Sequence, residues 1–228
     1  MPGRLTLDQA GDDAIANLAE LREFPDRDFK DRNWPVPSAQ PVTRDHALLA
    51  DADALERSQR PRIFRYLFFS LREREVAEEL THDVLLAAWR ARASFRGEAS
   101  LETWVMRIAI NMLRNHTRTE RFKFWRRTEQ VEIGDLLAPP ADPARSAEDT
   151  VLAAERLQTV WAAASKLSAK QRSVFLLHFV EEMDAREIAA ATGMAVPTVK
   201  THLYRAIDSV RAAVTKPATA SSGKETER

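Results

Sequence analysis

The stretch PTVKTHLYRAIDSVRAAV, 197–214, puts Thr198, Lys200, Thr201, Tyr204 and Arg205 on one side of a helix and Val199, Leu203, Ile207 and Val210 on the other. Cations and hydroxyls near a helix N-terminus suit hydrogen bonding to base edges and phosphate oxygens in a major groove. A second set lies upstream: Arg107, Arg114 and Arg118, with Arg121 beyond, share a helix with apolar Leu101, Trp104, Val105, Ile108 and Met112. Such a helix packs on a core by one side and follows phosphates with the other. Any surface helix has a polar face, so neither set settles the chemistry by itself.

Reactive constellations are missing. With no Cys there is no disulfide and no thiolate metal site. His46, His82, His116, His178 and His202 are scattered without ligand spacing. There is no Gly-rich phosphate loop, nucleophile elbow or HExxH. The carboxylate pairs Glu78–Glu79 and Glu181–Glu182 are sequence neighbours, which splay apart on a helix and make poor acid–base dyads. The expectation is a protein that binds rather than catalyses, with no metal and no cofactor.

Charge is distributed in blocks. The chain carries 34 basic and 34 acidic residues, a net charge of zero. Within it, 86–128 hold 10 basic against 3 acidic residues, 129–155 hold 7 acidic against 1 basic, and 156–228 hold 11 basic against 7 acidic. Two basic blocks flank an acidic connector, a pattern the average conceals. Six Gly in 228 residues, with abundant Ala, Leu, Glu and Arg, favour helix over sheet. No apolar run approaches the roughly 18 residues of a membrane span, and MPGRLTLDQAGDD has no apolar signal core. A soluble cytoplasmic protein without membrane insertion is expected.

These patterns predict an all-α protein of two small helical domains joined by a flexible acidic linker, the second domain a helix-turn-helix. Residues 1–42, with four Pro in 25–41, form an extension that composition leaves open between a regulatory cover and a disordered tail. Residues 43–127 form the first domain, 128–146 the linker, 147–214 the second domain and 215–228 a disordered tail. In the first domain one helix includes ALLADADALERSQRPRIF, with Ile63, Phe64, Leu67 and Phe68 striped along it. Val76, Leu80, Val84, Ala87 and Ala88 stripe a second helix, Gly97 ends it, and Ser100 caps the third. Trp89 and Trp104 read as core; RFKFWRR, 121–127, interleaves basic and aromatic residues as single-strand binders do, or is a helix end that docks through Phe122 and Trp125 on the core or a partner, the reading favoured slightly.

The second domain is punctuated more sharply. Ser146 and Asp149 start a helix that runs through Trp161; Ser168 with Gln171 and Asp184 with Glu187 form capping boxes. A short helix ends at Gly193, Gly193–Met194–Ala195 turns the chain, and a longer helix starts near Val196–Pro197, where Pro is tolerated in the first turn.

At this point a family resemblance emerges. LSAKQRSVFLLHFVEEMDAREIAAATGMAVPTVKTHLYRAIDSVR resembles the −35-reading domain of sigma-70 family factors of the extracytoplasmic-function (ECF) group. AEELTHDVLLAAWRARASFRGEASLETWVMRIAINMLRNHTR is similar to the other domain of that group, and FRGEASLETWVMRIAINML is its more specific part. The resemblance implies core RNA polymerase and promoter DNA as partners; an anti-sigma factor is common in the family, though no residue here marks one. It implies a polymerase contact through Glu78, Glu79, Leu80, Thr81, His82, Asp83 and Leu86. It implies a pocket for a base flipped from the −10 strand in the loop Phe95, Arg96, Gly97, Glu98, Ala99 and Ser100. Asn111 falls at a base-reading position, with Arg107, Arg114 and Arg118 for backbone contacts. Thr198, Lys200, Thr201, Tyr204 and Arg205 fall in the −35 region. The chain departs from the family at His82, where Gln is usual, at Ala195, where Ser often caps the recognition helix, and at Pro197, where Gly is common.

Two other functions compete. One is a stand-alone helix-turn-helix regulator whose first block is a sensor or dimerisation domain; the FRGEAS…W…N block and the lack of a βα receiver pattern weigh against it. The other is a protein-binding adaptor that titrates an anti-sigma factor. Neutralising Lys200 and Arg205 separates a sigma factor from an adaptor: promoter activity should collapse for the first and be indifferent for the second.

Overall fold

The structure, a computed structural model, describes residues 42–120 and 158–215. Expectations for the N-terminal extension, for 121–157 and for the tail beyond 215 lie outside the described residues, as do Phe122 and Trp125. Among the described residues every regular element is helical. Helix α1 spans Val42–Ala50, α2 Ala52–Leu71, α3 Arg74–Ala91 and α4 Leu101–Glu120. A helical stretch over 158–164, α5, precedes α6, Ala169–Phe179; α7 is Ala185–Thr192 and α8 is Val196–Thr215.

The first helix expected from sequence is two. Asp51 is extended (φ −127°, ψ 120°) and its side chain accepts from the Asp53 amide at 3.0 Å, so it caps α2 and breaks the chain from α1. A short polar residue that bonds its own backbone competes with helix continuation, and here it prevails. Helix α3 also ends earlier than expected. It stops at Ala91, a 3₁₀ turn follows over Arg92–Ser94, and Gly97 lies beyond in the loop with φ +69°. Gly97 therefore shapes the loop and does not terminate the helix.

The buried face of α2 is broader than the expected stripe. Leu55, Ile63, Tyr66, Leu67 and Phe68 are at most 1% exposed, and Phe64, Arg65 and Phe69 are buried beside them. This continuous run is hydrophobic nearly all round, as befits a helix enclosed on several sides. On α4 the buried row is Leu101, Val105, Met106, Ala109, Ile110 and Leu113, while Trp104, Ile108 and Met112 are only partly covered. The expected apolar face is thus rotated towards Met106 and Ile110, because α4 packs against α3, α2 and α7 together.

Capping sets the second half. Ser168 and Gln171 form a reciprocal capping box at α6, and Asp184 and Glu187 form another at α7. Asp184 accepts from the Arg186 and Glu187 amides at 2.6 and 2.8 Å. Gly193 ends α7 in the left-handed region (φ +73°), its N–H bonded to the Ala189 carbonyl. At the start of α8, Ala195 offers only its carbonyl, to the Thr198 and Val199 amides, and has no side chain to satisfy the remaining donors. Ala195→Ser should therefore raise unfolding free energy by about 1 kcal/mol, and Asp184→Ala should lower it by about 1–2 kcal/mol, in urea titrations followed by circular dichroism.

Candidate nucleic-acid interface

Helix α8 has two distinct sides. Val199, Leu203, Ala206, Ile207 and Val210 are buried, Val199 and Val210 completely. Thr198, Thr201 and Arg205 are exposed and Lys200 and Tyr204 half-buried. The apolar side packs on α6 and α7, so α7, the turn and α8 have the helix-turn-helix arrangement that leaves the N-terminal half of the second helix outward. The Thr201 hydroxyl donates to the Pro197 carbonyl at 2.9 Å, which leaves its oxygen free to accept.

The surface around this end is electropositive. Among the described residues no ion pair neutralises Lys200 or Arg205. The His202 imidazole is held below its ordinary range by desolvation, then by the neighbouring Lys170 and Arg205 cations. Lys170, exposed near the start of α6, is therefore part of the same field. Sequence spacing missed it because it sits in another helix; only the net positive charge of 156–228 pointed that way.

In the first half, Arg107, Asn111, Arg114 and Arg118 are all exposed. Their spacing of four, three and four residues lines them up along one side of α4. The loop before α4 is anchored rather than loose. Ser100 Oγ accepts from the Thr103 amide at 3.2 Å, and the Asp45 carboxylate, 5% exposed and supplied by α1, accepts from the Leu101 amide at 3.0 Å. A carboxylate there also complements the positive helix end. Phe95 is 6% exposed, edge-on to Trp104 (5.5 Å) and to His46 (5.6 Å). It acts as the buried root of the loop, leaving Arg96, Gly97, Glu98, Ala99 and Ser100 around the rim. Trp89 and Trp104 pack partly buried against the core, and the Arg92 guanidinium lies 4.1 Å from the Trp89 ring centre.

On α3, Glu79, His82, Asp83 and Leu86 are exposed, and Glu78, half-buried, receives a 2.9 Å bond from Arg74. Leu80 and Thr81 point inward, at 8% and 0% exposure. What this helix offers a partner is thus an acidic face around Leu86, the one large hydrophobic residue exposed among the described residues.

The two halves pack against each other along one side of α2. Arg65 donates to both carboxylate oxygens of Glu181 at 2.9 Å, and Arg62 reaches the same group at 3.2 Å and the Glu181 carbonyl at 3.0 Å. One turn on, the Tyr66 hydroxyl lies 3.1 Å from Ser173 Oγ, and burial pushes its pKa up to about 12. A further turn along, Phe69 stacks on Trp161 with ring centres 4.3 Å apart and planes at 2°. Sequence reasoning found none of these pairings. The available signal was Arg65 itself, a guanidinium inside the apolar run IFRYLFF, which demands a buried acceptor.

Both halves of the chain resemble known proteins. Residues 56–123 match the family model "Sigma-70 region 2", and residues 157–209 match "Sigma-70, region 4". The RNA polymerase sigma factor YlaC of Bacillus subtilis is 30% identical over 68% of this chain and 86% of its own length. The ECF RNA polymerase sigma factor BldN of Streptomyces coelicolor is 27% identical over 64% of this chain, and the chain spans about half (53%) of that protein's length. Among solved structures, the sigma factor RpoE of Bartonella quintana, crystallised with the anti-sigma factor NepR, superposes with a TM-score of 0.53 at 22% identity, covering 76% of this chain and 96% of its own. That likeness is one of fold.

Removing single cations should register in the salt dependence of duplex binding. Arg205→Ala and Lys170→Ala are each expected to reduce the slope of log K against log salt by about one. Circular dichroism melting should be unchanged, because both side chains are exposed; fluorescence anisotropy across a salt series checks the slope.

Proposed function

This chain belongs to the ECF group of the sigma-70 family of RNA polymerase sigma factors, and we propose that it directs core RNA polymerase to specific promoters and assists their opening. The observation that carries this reading is the outward, electropositive N-terminal half of α8, with Thr198, Lys200, Thr201, Tyr204 and Arg205 for the −35 duplex. Arginine or lysine there recognises guanine edges, and the hydroxyls bond phosphates. The row Arg107, Asn111, Arg114 and Arg118, with the rim Arg96–Ser100, receives the melted −10 strand; an extruded base held in a snug pocket recovers the few kcal/mol lost in unstacking. Phe95 holds that rim in place from beneath.

The polymerase contact is the exposed face of α3, Glu78, Glu79, His82, Asp83 and Leu86, with Leu80 holding the helix to the core. His82, exposed where the family usually has Gln, puts an imidazole in that contact. The family match over 56–123 occupies the block that a stand-alone regulator would use as a sensor, which counts against the regulator reading. By analogy with the Bartonella complex, an anti-sigma protein is a further partner. No described helix is long and apolar enough to cross a membrane, and polymerase and promoter place the working protein in the cytoplasm. It needs no catalytic group of its own, since polymerase performs the chemistry.

The test is transcription in vitro with the purified chain, core bacterial polymerase and a genomic-fragment library, transcript 5′ ends being sequenced. Start sites that share paired upstream elements and depend on the chain are the expected result, and Lys200→Ala/Arg205→Ala should abolish them. Failure to bind core polymerase at all would contradict the reading.

A further inference from the structure

We propose that the groove between α4 and the start of α6 is a binding site for a small phosphorylated molecule of nucleotide size, held by Arg114, Lys170 and Arg172. The site goes beyond promoter reading, since it needs neither polymerase nor DNA.

The groove encloses about 430 Å³, within the range of pockets that take small organic ligands. Arg114 lines it from α4, and Lys170 and Arg172 line it from near the start of α6. No carboxylate lines it, and among the described residues none of the three cations is in an ion pair. Arg172 donates only to neutral carbonyls, those of Ala164, Ser165, Leu167 and Ser70. Four of its five N–H donors are used in this way, which fixes the guanidinium and leaves its charge uncompensated. The remaining donor is on the nitrogen that reaches Ser70, itself part of the groove lining.

The backbone adds to this charge. A helix start normally attracts carboxylates, because its free amides make that end positive. Helix α6 has no acidic residue in its first turn and carries Lys170 and Arg172 close to it. Two neighbours register the resulting field. The Arg72 guanidinium is held below its ordinary range by burial and then by Arg172, as His202 is by burial and then by Lys170 and Arg205. Like charges gathered without a counter-charge repel one another, and an anion in the groove removes that repulsion.

The lining also selects among anions. Guanidinium forks match the paired oxygens of a phosphate, and an ammonium adds a point charge. Three cations call for a ligand with more than one negative charge, which a di- or triphosphate chain supplies. Beside them Ile110 and Leu113, 4% and 8% exposed, form an apolar wall, and Met194 contributes a thioether that adapts to a flat ring. Inorganic phosphate would use the cations and leave that wall wet, so the ligand has an organic body. The Thr117 hydroxyl donates to the Arg114 carbonyl at 3.2 Å and keeps its lone pairs for a sugar hydroxyl or a ring amino group. Arg114 is also the cation proposed for the melted strand, so strand and ligand draw on one guanidinium. That consequence, unlike the site, rests on the promoter reading.

Calorimetric titration of the full chain with ATP, free of divalent metal, polymerase and DNA, tests the site. Saturable binding at a single site is expected, with adenosine and inorganic phosphate each weaker by about tenfold or more. Lys170→Gln removes a cation and Thr117→Glu sets a carboxylate in the groove, both at exposed positions. Each should weaken ATP binding by about tenfold, the loss of one charge-assisted contact. Arg90→Gln, which removes an exposed cation of α3 outside the groove, should leave it unchanged. Circular dichroism verifies the helices of each variant, and if one misfolds the other still decides. Absence of saturable ATP binding overturns the site. Equal weakening by Arg90→Gln does so too, since it shows diffuse attraction to basic surface. Citrate bound as tightly as ATP overturns the phosphorylated class. Each of these outcomes leaves the promoter reading untouched, and a failure of transcription in vitro would leave the ATP titration unchanged.

Discussion

A carboxylate taken out of water has to be matched by charge and by hydrogen bonds, and Glu181 finds both only in α2 of the other domain. Arg65 supplies a two-oxygen fork and Arg62 a further bond, so the turn between α6 and α7 is fixed against the first domain. Much else follows from that constraint. Phe69 meets Trp161 in a flat stack, Tyr66 reaches Ser173, and α4 comes to rest against α7. One buried cluster then runs through both halves, although each half carries its own helical stripes.

Within each half, local signals and tertiary packing divide the task. Side-chain caps set where helices begin: Asp51 for α2, Ser168 for α6 and Asp184 for α7. Asp45 performs the same service for α4 from 56 residues away, which joins α1 to the loop whose rim is proposed to hold a base. At the other end of that domain the Arg172 guanidinium crosses the contact, donating to the carbonyls of Ala164, Ser165 and Leu167 and to that of Ser70 at 3.5 Å. A cation at a helix C-terminus satisfies carbonyls that have no partner within the helix. The surfaces proposed for DNA and polymerase are what remains after these demands are met: exposed arginines on α4, the outer half of α8 and the acidic side of α3.

Sequence periodicity was a good guide wherever one neighbour dictates one face. On α8, Val199, Leu203, Ile207 and Val210 are buried as their spacing requires, and both capping boxes in the second domain form as their residues suggest. It was a poorer guide where several neighbours compete. The buried row of α4 is rotated towards Met106 and Ile110 because three helices surround it, a fact absent from its own spacing. Periodicity alone runs a helix through Asp51, because it does not register a side chain that caps. Phe95 belonged to a matched motif, yet the ring is buried beneath the loop it was expected to furnish. Pairings between domains were illegible: Arg65 inside an apolar run asks for a buried acceptor, but Glu181 lies more than a hundred residues from it and from Arg62, and nothing in the sequence names the partner.

The two units proposed to read DNA pack against each other along α2, and promoter elements about 25 base pairs apart require them to separate. Because the chain has no Cys, two introduced cysteines, at exposed Arg57 and Asp208, accept donor and acceptor dyes without competition. The most direct measurement is energy transfer between them, first in the free protein and then in the complex with core polymerase and promoter. High transfer in the free chain and a large loss in the complex, as an element separation of roughly 85 Å requires, is the expected result. Equal transfer in both states would contradict the account, because a chain that stays closed on polymerase cannot hold both elements.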